Sequence, residues 1–193
     1  MDAYKVDYHI YTTHSIGQMR PLDIVKQASE LEYDVISITD RNTTDGLPEA
    51  EIAGEALNIK IVPGIEILSE TDDGTEIEIL GYNIDREHEA LKDFLRMLPS
   101  MGNGKPKPED AIDVIRKAGG TPVLGNPKDI NDLDMILGAL KKQKLGGLEC
   151  FRPDLNEEDT MRLVEYAEKY HLHMTKGSGF SGNDYSIASF GAF

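Results

Sequence analysis

Tryptophan is absent from these 193 residues, and cysteine occurs once. The lone thiol, Cys150, closes no disulfide within the chain, which fits a reducing compartment, so a cytoplasmic location is expected. No apolar run approaches the roughly 18 residues of a membrane helix. The opening Met1-Asp2-Ala3-Tyr4-Lys5-Val6-Asp7 has neither the basic nor the apolar region of a signal peptide, and no membrane association is expected. Positive charge is scarce as well. Twenty Lys and Arg stand against 35 Asp and Glu, a net charge of −15, with no basic cluster. Such a field repels phosphate backbones, so nucleic acid is not an expected partner. Repeats of short period and low-complexity tracts are lacking too. The one linker-like stretch, PSMGNGKPKP at 99–108, is too short to mark a domain boundary. A single domain over 1–193 follows, within the usual size of about 100–250 residues.

What is present is an alternation of strand-like and helix-like segments. Residues 5–11, DVISIT at 34–39, 59–68, 76–82, 121–124, 147–151 and 172–175 read as strands, seven in all. Pro63-Gly64 is expected to break the third, and TDDGT at 71–75 to turn it into a hairpin with the fourth. Helical spacing appears after Pro21 (Leu22, Val25, Ala28, Leu31), after Pro48, and over 86–97, 111–118, 130–141 and 156–170. Strands alternating with helices imply parallel pairing with right-handed crossovers, hence an α/β barrel. Cys150, in the apolar run GLECF, reads as a small buried core residue rather than a reactive thiol.

In such a barrel, chemistry gathers at the C-terminal ends of the strands. The polar residues there are Asp7, His9, Tyr11, Asp40, Arg41, Glu66, Glu78, Asn126, Arg152, Lys176 and Ser181. Asp7, His9 and Tyr11 alternate at period two and should share one face. Asp40 and Glu66 each end an apolar run, where an unpaired carboxylate is costly, so each needs a cation or donors nearby. His14 reads as a solvated loop residue, His88 as exposed on a charged helix, and His171 with His173 as a His-x-His inside a strand-like segment rather than a metal site.

Seven blocks, in order from residue 5 to about 182, resemble the PHP family, the polymerase and histidinol phosphatase superfamily. They are VDYHIYTTHS (6–15), ITDRNTTDGLPEA (38–50), PGIEI (63–67), EILGYNID (78–85), GGTPVLGNP (119–127), GLECFRP (147–153) and TKGSGFSG (175–182). The resemblance implies a single distorted seven-stranded, TIM-like (β/α)7 barrel. It also implies a site of two or three metals that hydrolyses phosphate esters by metal-activated water. The helical insert that many members carry before the GG-x-P block is missing or minimal here.

Against that pattern the second histidine of the opening His-x-His is Tyr11, and the loop that follows offers Ile16-Gly17 instead of a ligand. Histidines implied at four further places are Arg41, Glu78, Asn126 and Ser181, and an aspartate is Gly179. His9, Asp40 and Glu66 remain as residual ligands. Tyrosine and asparagine are poor substitutes, glycine supplies nothing, and arginine is always cationic. No cofactor is expected, or at most one divalent Zn, Mn, Fe or Mg ion. Arg41 is expected in the vacated pocket, paired with Glu66 or Glu78, since a guanidinium bridges two carboxylates well.

Three readings follow. The leading one is a catalytically degenerate PHP-like domain, a pseudoenzyme that binds a small anion or a partner. The second is a weak metal-dependent phosphoesterase with a reduced one-metal site. The third is a structural or regulatory module of a larger assembly. Arg152 and Lys176, near strand ends, either offset local negative charge or hold a ligand bearing phosphate or carboxylate; the sequence names no protein partner.

Overall fold

A computed structural model describes residues 4–182; residues 1–3 and 183–193 of the expected single domain lie outside the described residues. The order of elements is β1 (Val6–Ile10), α1 (Pro21–Glu30), β2 (Val35–Ile38), α2 (Leu47–Leu57), β3 (Lys60–Glu70), β4 (Glu76–Tyr82), α3 (Glu89–Met97), α4 (Pro108–Lys117), β5 (Thr121–Gly125), α5 (Leu133–Lys142), β6 (Gly147–Phe151), α6 (Glu157–Lys169) and β7 (His173–Lys176). The seven strands form one sheet in sequence order. The ends of that sheet approach each other. Ile10 bridges Phe180, just past β7, and the Tyr11 N–H donates to the Phe180 carbonyl at 2.9 Å. The result is a nearly closed seven-stranded barrel with helices between its strands.

β1, β2 and β3 pair in parallel, as do β5, β6 and β7, but β4 is antiparallel to both neighbours. The hairpin through 71–75 reverses the chain, and the α3–α4 connection then brings β5 back in the original direction. The hairpin expected at 71–75 is present, and the parallel pairing expected elsewhere fails at β4–β5. β3 is unbroken where a break was expected at Pro63-Gly64. Pro63 is instead where the neighbours change, since β2 pairs up to Pro63 and β4 pairs from Gly64 onward.

Helix starts follow their local chemistry. Pro21 and Pro108 stand at the first positions of α1 and α4, where a missing N–H costs nothing. Asn156 caps α6, accepting from the Asp159 N–H at 2.8 Å. His88 is not simply exposed on a helix: its Nδ1 caps α3, accepting from the Ala90 N–H at 3.2 Å.

The main core lies between sheet and helices. Ile36, Ile38, Ile65, Ile67, Ile77, Ile79, Leu124 and Leu148 pack against Ile24, Ala50, Ile115, Leu137 and Leu163. A smaller cluster of Val35, Val62, Leu80, Tyr82 and Val123 forms a second apolar body. Cys150 is fully buried and burial pushes its thiol up to about 12, which makes it inert at neutral pH. No helix among the described residues is long and apolar enough to cross a membrane.

Candidate active site

Glu149 is the anchor of the site, and it is the residue that sequence reasoning missed. It stands in β6 between Leu148 and Cys150, with no exposed surface. Its Oε1 faces His9 Nδ1 at 2.9 Å. Its Oε2 accepts from Arg152 Nη1 at 3.0 Å and from the Asn126 N–H at 2.8 Å. Burial alone raises a carboxyl, but the two cations prevail and hold Glu149 down at about 2. Glycine at 177 admits the pair: a Cβ there would lie 2.2 Å from Glu149 Oε1 and 2.4 Å from His9 Cβ.

From Glu149 the polar contacts continue across the barrel mouth. Burial disfavours the His9 imidazolium, yet the Glu149 carboxylate outweighs that and pushes the ring up to about 10. A ring protonated on both nitrogens donates to Glu149 from Nδ1 and to the Tyr11 oxygen from Nε2, 2.7 Å away. Tyr11 in turn donates to Glu66 Oε2. Arg41 donates through Nε to Glu66 Oε1 and through Nη2 to Glu78 Oε1 at 3.0 Å. Glu66 and Glu78 lie on adjacent strands, two residues apart in register, because Glu66 pairs with Leu80. Burial raises Glu66, but His9 and Arg41 bring it below its ordinary value. Burial and the neighbouring Glu66 push Glu78 up to about 7.

Seven side chains thus form one chain of contacts: Arg152, Glu149, His9, Tyr11, Glu66, Arg41 and Glu78. Along it the cationic side chains Arg152, His9 and Arg41 alternate with the acidic side chains Glu149, Glu66 and Glu78, and Arg152 reaches a further carboxylate, Asp154. One further atom stands out. Glu78 Oε2 is buried and has no hydrogen-bond partner.

Asp40 is placed differently from the sequence expectation. It does not join His9 and Glu66. Its Oδ1 accepts from the Thr12 N–H at 2.7 Å and from Ser15 Oγ, and its Oδ2 accepts from Thr12 Oγ1 at 2.6 Å. The reason is local: the loop after β1 turns back over the end of β2, and Asp40 satisfies its donors. Asp7 also departs from the expected shared face. The β1–β2 register shifts between Asp7 and Ile10, which breaks the alternation. Asp7 sits at the β1–β7 seam, where its Oδ1 accepts from His9 N–H at 3.1 Å and Ser178 N–H at 2.9 Å. Burial pushes its carboxyl up to about 6.

Asn126 is exposed, and its backbone rather than its side chain serves the site. Arg152 is committed to carboxylates of its own chain, Glu149 and Asp154. Lys176 is half-buried near Asp7, while the Ser181 carbonyl accepts from the Gln18 N–H at 2.8 Å. His14, His171 and His173 are exposed.

The donor set can be tested against a metal. Among the described residues, one group of metal-capable side chains converges: His9, Glu66 and Glu78, with one ligand atom of each within 4.8 Å of the others. The orphaned Glu78 oxygen suits a single divalent ion. A cluster of two or three metals does not fit, because Arg41 lies on both carboxylates and the remaining positions offer Tyr, Asn, Gly and Ser.

Fold and site together define a nearly closed seven-stranded α/β barrel with a polar centre at its mouth. The chain belongs to the PHP domain family, whose model matches residues 7–176. Over 91 residues it is 41% identical to the 5'-3' exoribonuclease Rnm of Salmonella typhimurium, a match that takes in 46% of this chain and 31% of that protein. The chain therefore spans about a third of the length of the exoribonucleases it matches. It is 23% identical to the phosphoribosyl 1,2-cyclic phosphate 1,2-diphosphodiesterase of Eggerthella lenta, over 91% of this chain and 94% of that one. A solved amidohydrolase from Chromobacterium violaceum, with bound sulfate and no metal, superposes with a TM-score of 0.84 at 19% identity. That alignment covers 95% of this chain and 89% of the other.

Proposed function

We propose that this chain is a catalytically degenerate PHP module that works without a multinuclear metal centre and binds a small anion or a partner. The observation that carries this reading is Arg41. Its guanidinium bridges Glu66 and Glu78, the two carboxylates that a metal would need. A fixed cation hydrogen-bonded to both neutralises them and repels an incoming divalent ion. His9 supports the same reading, since Glu149 holds its Nδ1 and the Tyr11 hydroxyl faces its Nε2, so both ring nitrogens are engaged within the protein.

Two relatives named for phosphoester cleavage favour a second reading, a weak phosphoesterase with one metal at His9, Glu66 and Glu78. The unpartnered Glu78 oxygen favours it too. The two readings separate in a hydrolysis screen with nitrophenyl phosphate, bis-nitrophenyl phosphate and a short oligoribonucleotide, with and without added Mn²⁺. The degenerate module shows no turnover above buffer in either condition. Turnover that depends on Mn²⁺ and disappears in Glu66→Gln would establish the second reading.

A further inference from the structure

The carboxylate pair beneath Arg41 is more than a relic held shut. We infer that Arg41 and a single divalent cation are mutually exclusive occupants of one site, so that Arg41 acts as a latch over a one-ion pocket. This inference rests on the degenerate reading above and says how the site is kept metal-free.

The donors that Arg41 covers are already arranged for an ion. His9, Glu66 and Glu78 each bring one ligand atom within 4.8 Å of the others. They stand on β1, β3 and β4, three rigid strands, rather than on loops. Glu78 Oε2 is buried without a partner, an acceptor that Arg41 leaves unserved while it binds Oε1. Behind His9, Glu149 holds Nδ1 and fixes the ring so that Nε2 points at the group. A carboxylate on the far nitrogen is the usual support for a histidine that ligates a metal. Tyr11 and Glu66 take up Nε2 in the closed form.

The latch itself can leave. Arg41 follows β2 and is about a quarter exposed, so its long side chain has solvent to swing into. Glu66 has no exposed surface and cannot follow it. When the guanidinium withdraws, Glu66 and Glu78 lose the cation that joins them, and a hard or borderline divalent ion can take its place, the Nε2 proton of His9 passing to solvent as the ion binds. Site closure and metal binding are thus alternative ways to neutralise the same carboxylates.

The test removes the latch and reads metal directly. Wild type, Arg41→Gln and the double variant Arg41→Gln with Glu78→Gln are titrated with Mn²⁺ at neutral pH, free Mn²⁺ being followed by electron paramagnetic resonance. Arg41→Gln should take up one ion per chain at least about tenfold more tightly than wild type. Its thermal midpoint should rise with added Mn²⁺, and the double variant should lose both effects. Arg41→Met provides a second neutral side chain if the glutamine variant folds poorly. A folded neutral variant that binds Mn²⁺ no better than wild type overturns the inference, as does a gain that survives Glu78→Gln. Failure of the degenerate reading looks different, because it appears as metal or turnover in the wild type itself.

Discussion

Glu149→Gln probes the buried anchor of the site. The substitution keeps the shape of the side chain and removes its charge, which leaves His9 and Arg152 facing a neutral group. The wild-type carboxyl is held at about 2 against an ordinary 4.5, and at about 1.4 kcal/mol per unit that is roughly 3 kcal/mol of native-state stabilisation. The residue has no exposed surface, so solvent screening takes little from this figure. The upward push on His9 to about 10 reports part of the same attraction from the other end, and the two are not added. Losing one partner of a buried pair costs a comparable 3–5 kcal/mol, and a chain of this size loses about 2–4 °C per kcal/mol, so the melting midpoint should fall by roughly 10 °C. The pH dependence has a definite sign. Glu149 titrates lower when folded, so its contribution is present above about 4.5 and is lost as pH falls towards 2. His9 titrates higher when folded, so its contribution is complete below 6.5 and is lost as pH rises towards 10. The gap between variant and wild type should be widest between these limits and narrow on either side. Thermal melts at pH 3, 6 and 9.5 check this. A midpoint unchanged at pH 6, or a gap equal at all three values, would refute the reasoning.

Arg41→Ala leaves Glu66 and Glu78 side by side without their cation and should cost about 2–4 kcal/mol in a urea melt, less than a fully buried pair because Arg41 is partly exposed. Asp7→Asn should act in the opposite direction. Burial raises Asp7 from 3.8 to about 6, so its ionised form weakens the fold as pH climbs through that range. The amide should therefore add about 1–2 kcal/mol at pH 7 and little at pH 3.5. Gly179→Asp, which restores the family's residue, should destabilise by at least about 1 kcal/mol. Gly179 has φ +68° and a Cβ there would lie 3.1 Å from Arg152 Nη2, so this position returns to ligand duty only if Arg152 also moves.

The sequence carried the barrel well because apolar runs and helical stripes alternate through almost the whole chain. It erred where topology depends on direction rather than on pattern. β4 pairs antiparallel with β5, and no periodicity in residues 121–125 distinguishes that from a parallel neighbour. His9, Tyr11, Arg41, Glu66 and Glu78 were legible because each falls on a ligand position of the family pattern. Glu149 was passed over because it matches no such position and lies inside the apolar run GLECF. The signal was there, since a charged residue flanked by Leu148 and Cys150 in a buried strand demands a buried cation. Asp40 misled for a related reason. The run before it shows that the carboxylate is buried, but the donors that satisfy it come from Thr12 and Ser15, 28 and 25 residues earlier. The β1–β2 register shift that moved Asp7 off the shared face leaves no trace in the residue pattern.

The central claim is that an internal cation, Arg41, has taken the place of a metal cluster on Glu66 and Glu78. Its most direct test is the metal content of the wild-type chain, purified without chelator or affinity metal and measured by inductively coupled plasma mass spectrometry against protein concentration. The account requires well under one equivalent of zinc, manganese and iron combined. Two or more equivalents that survive extensive dialysis would contradict it.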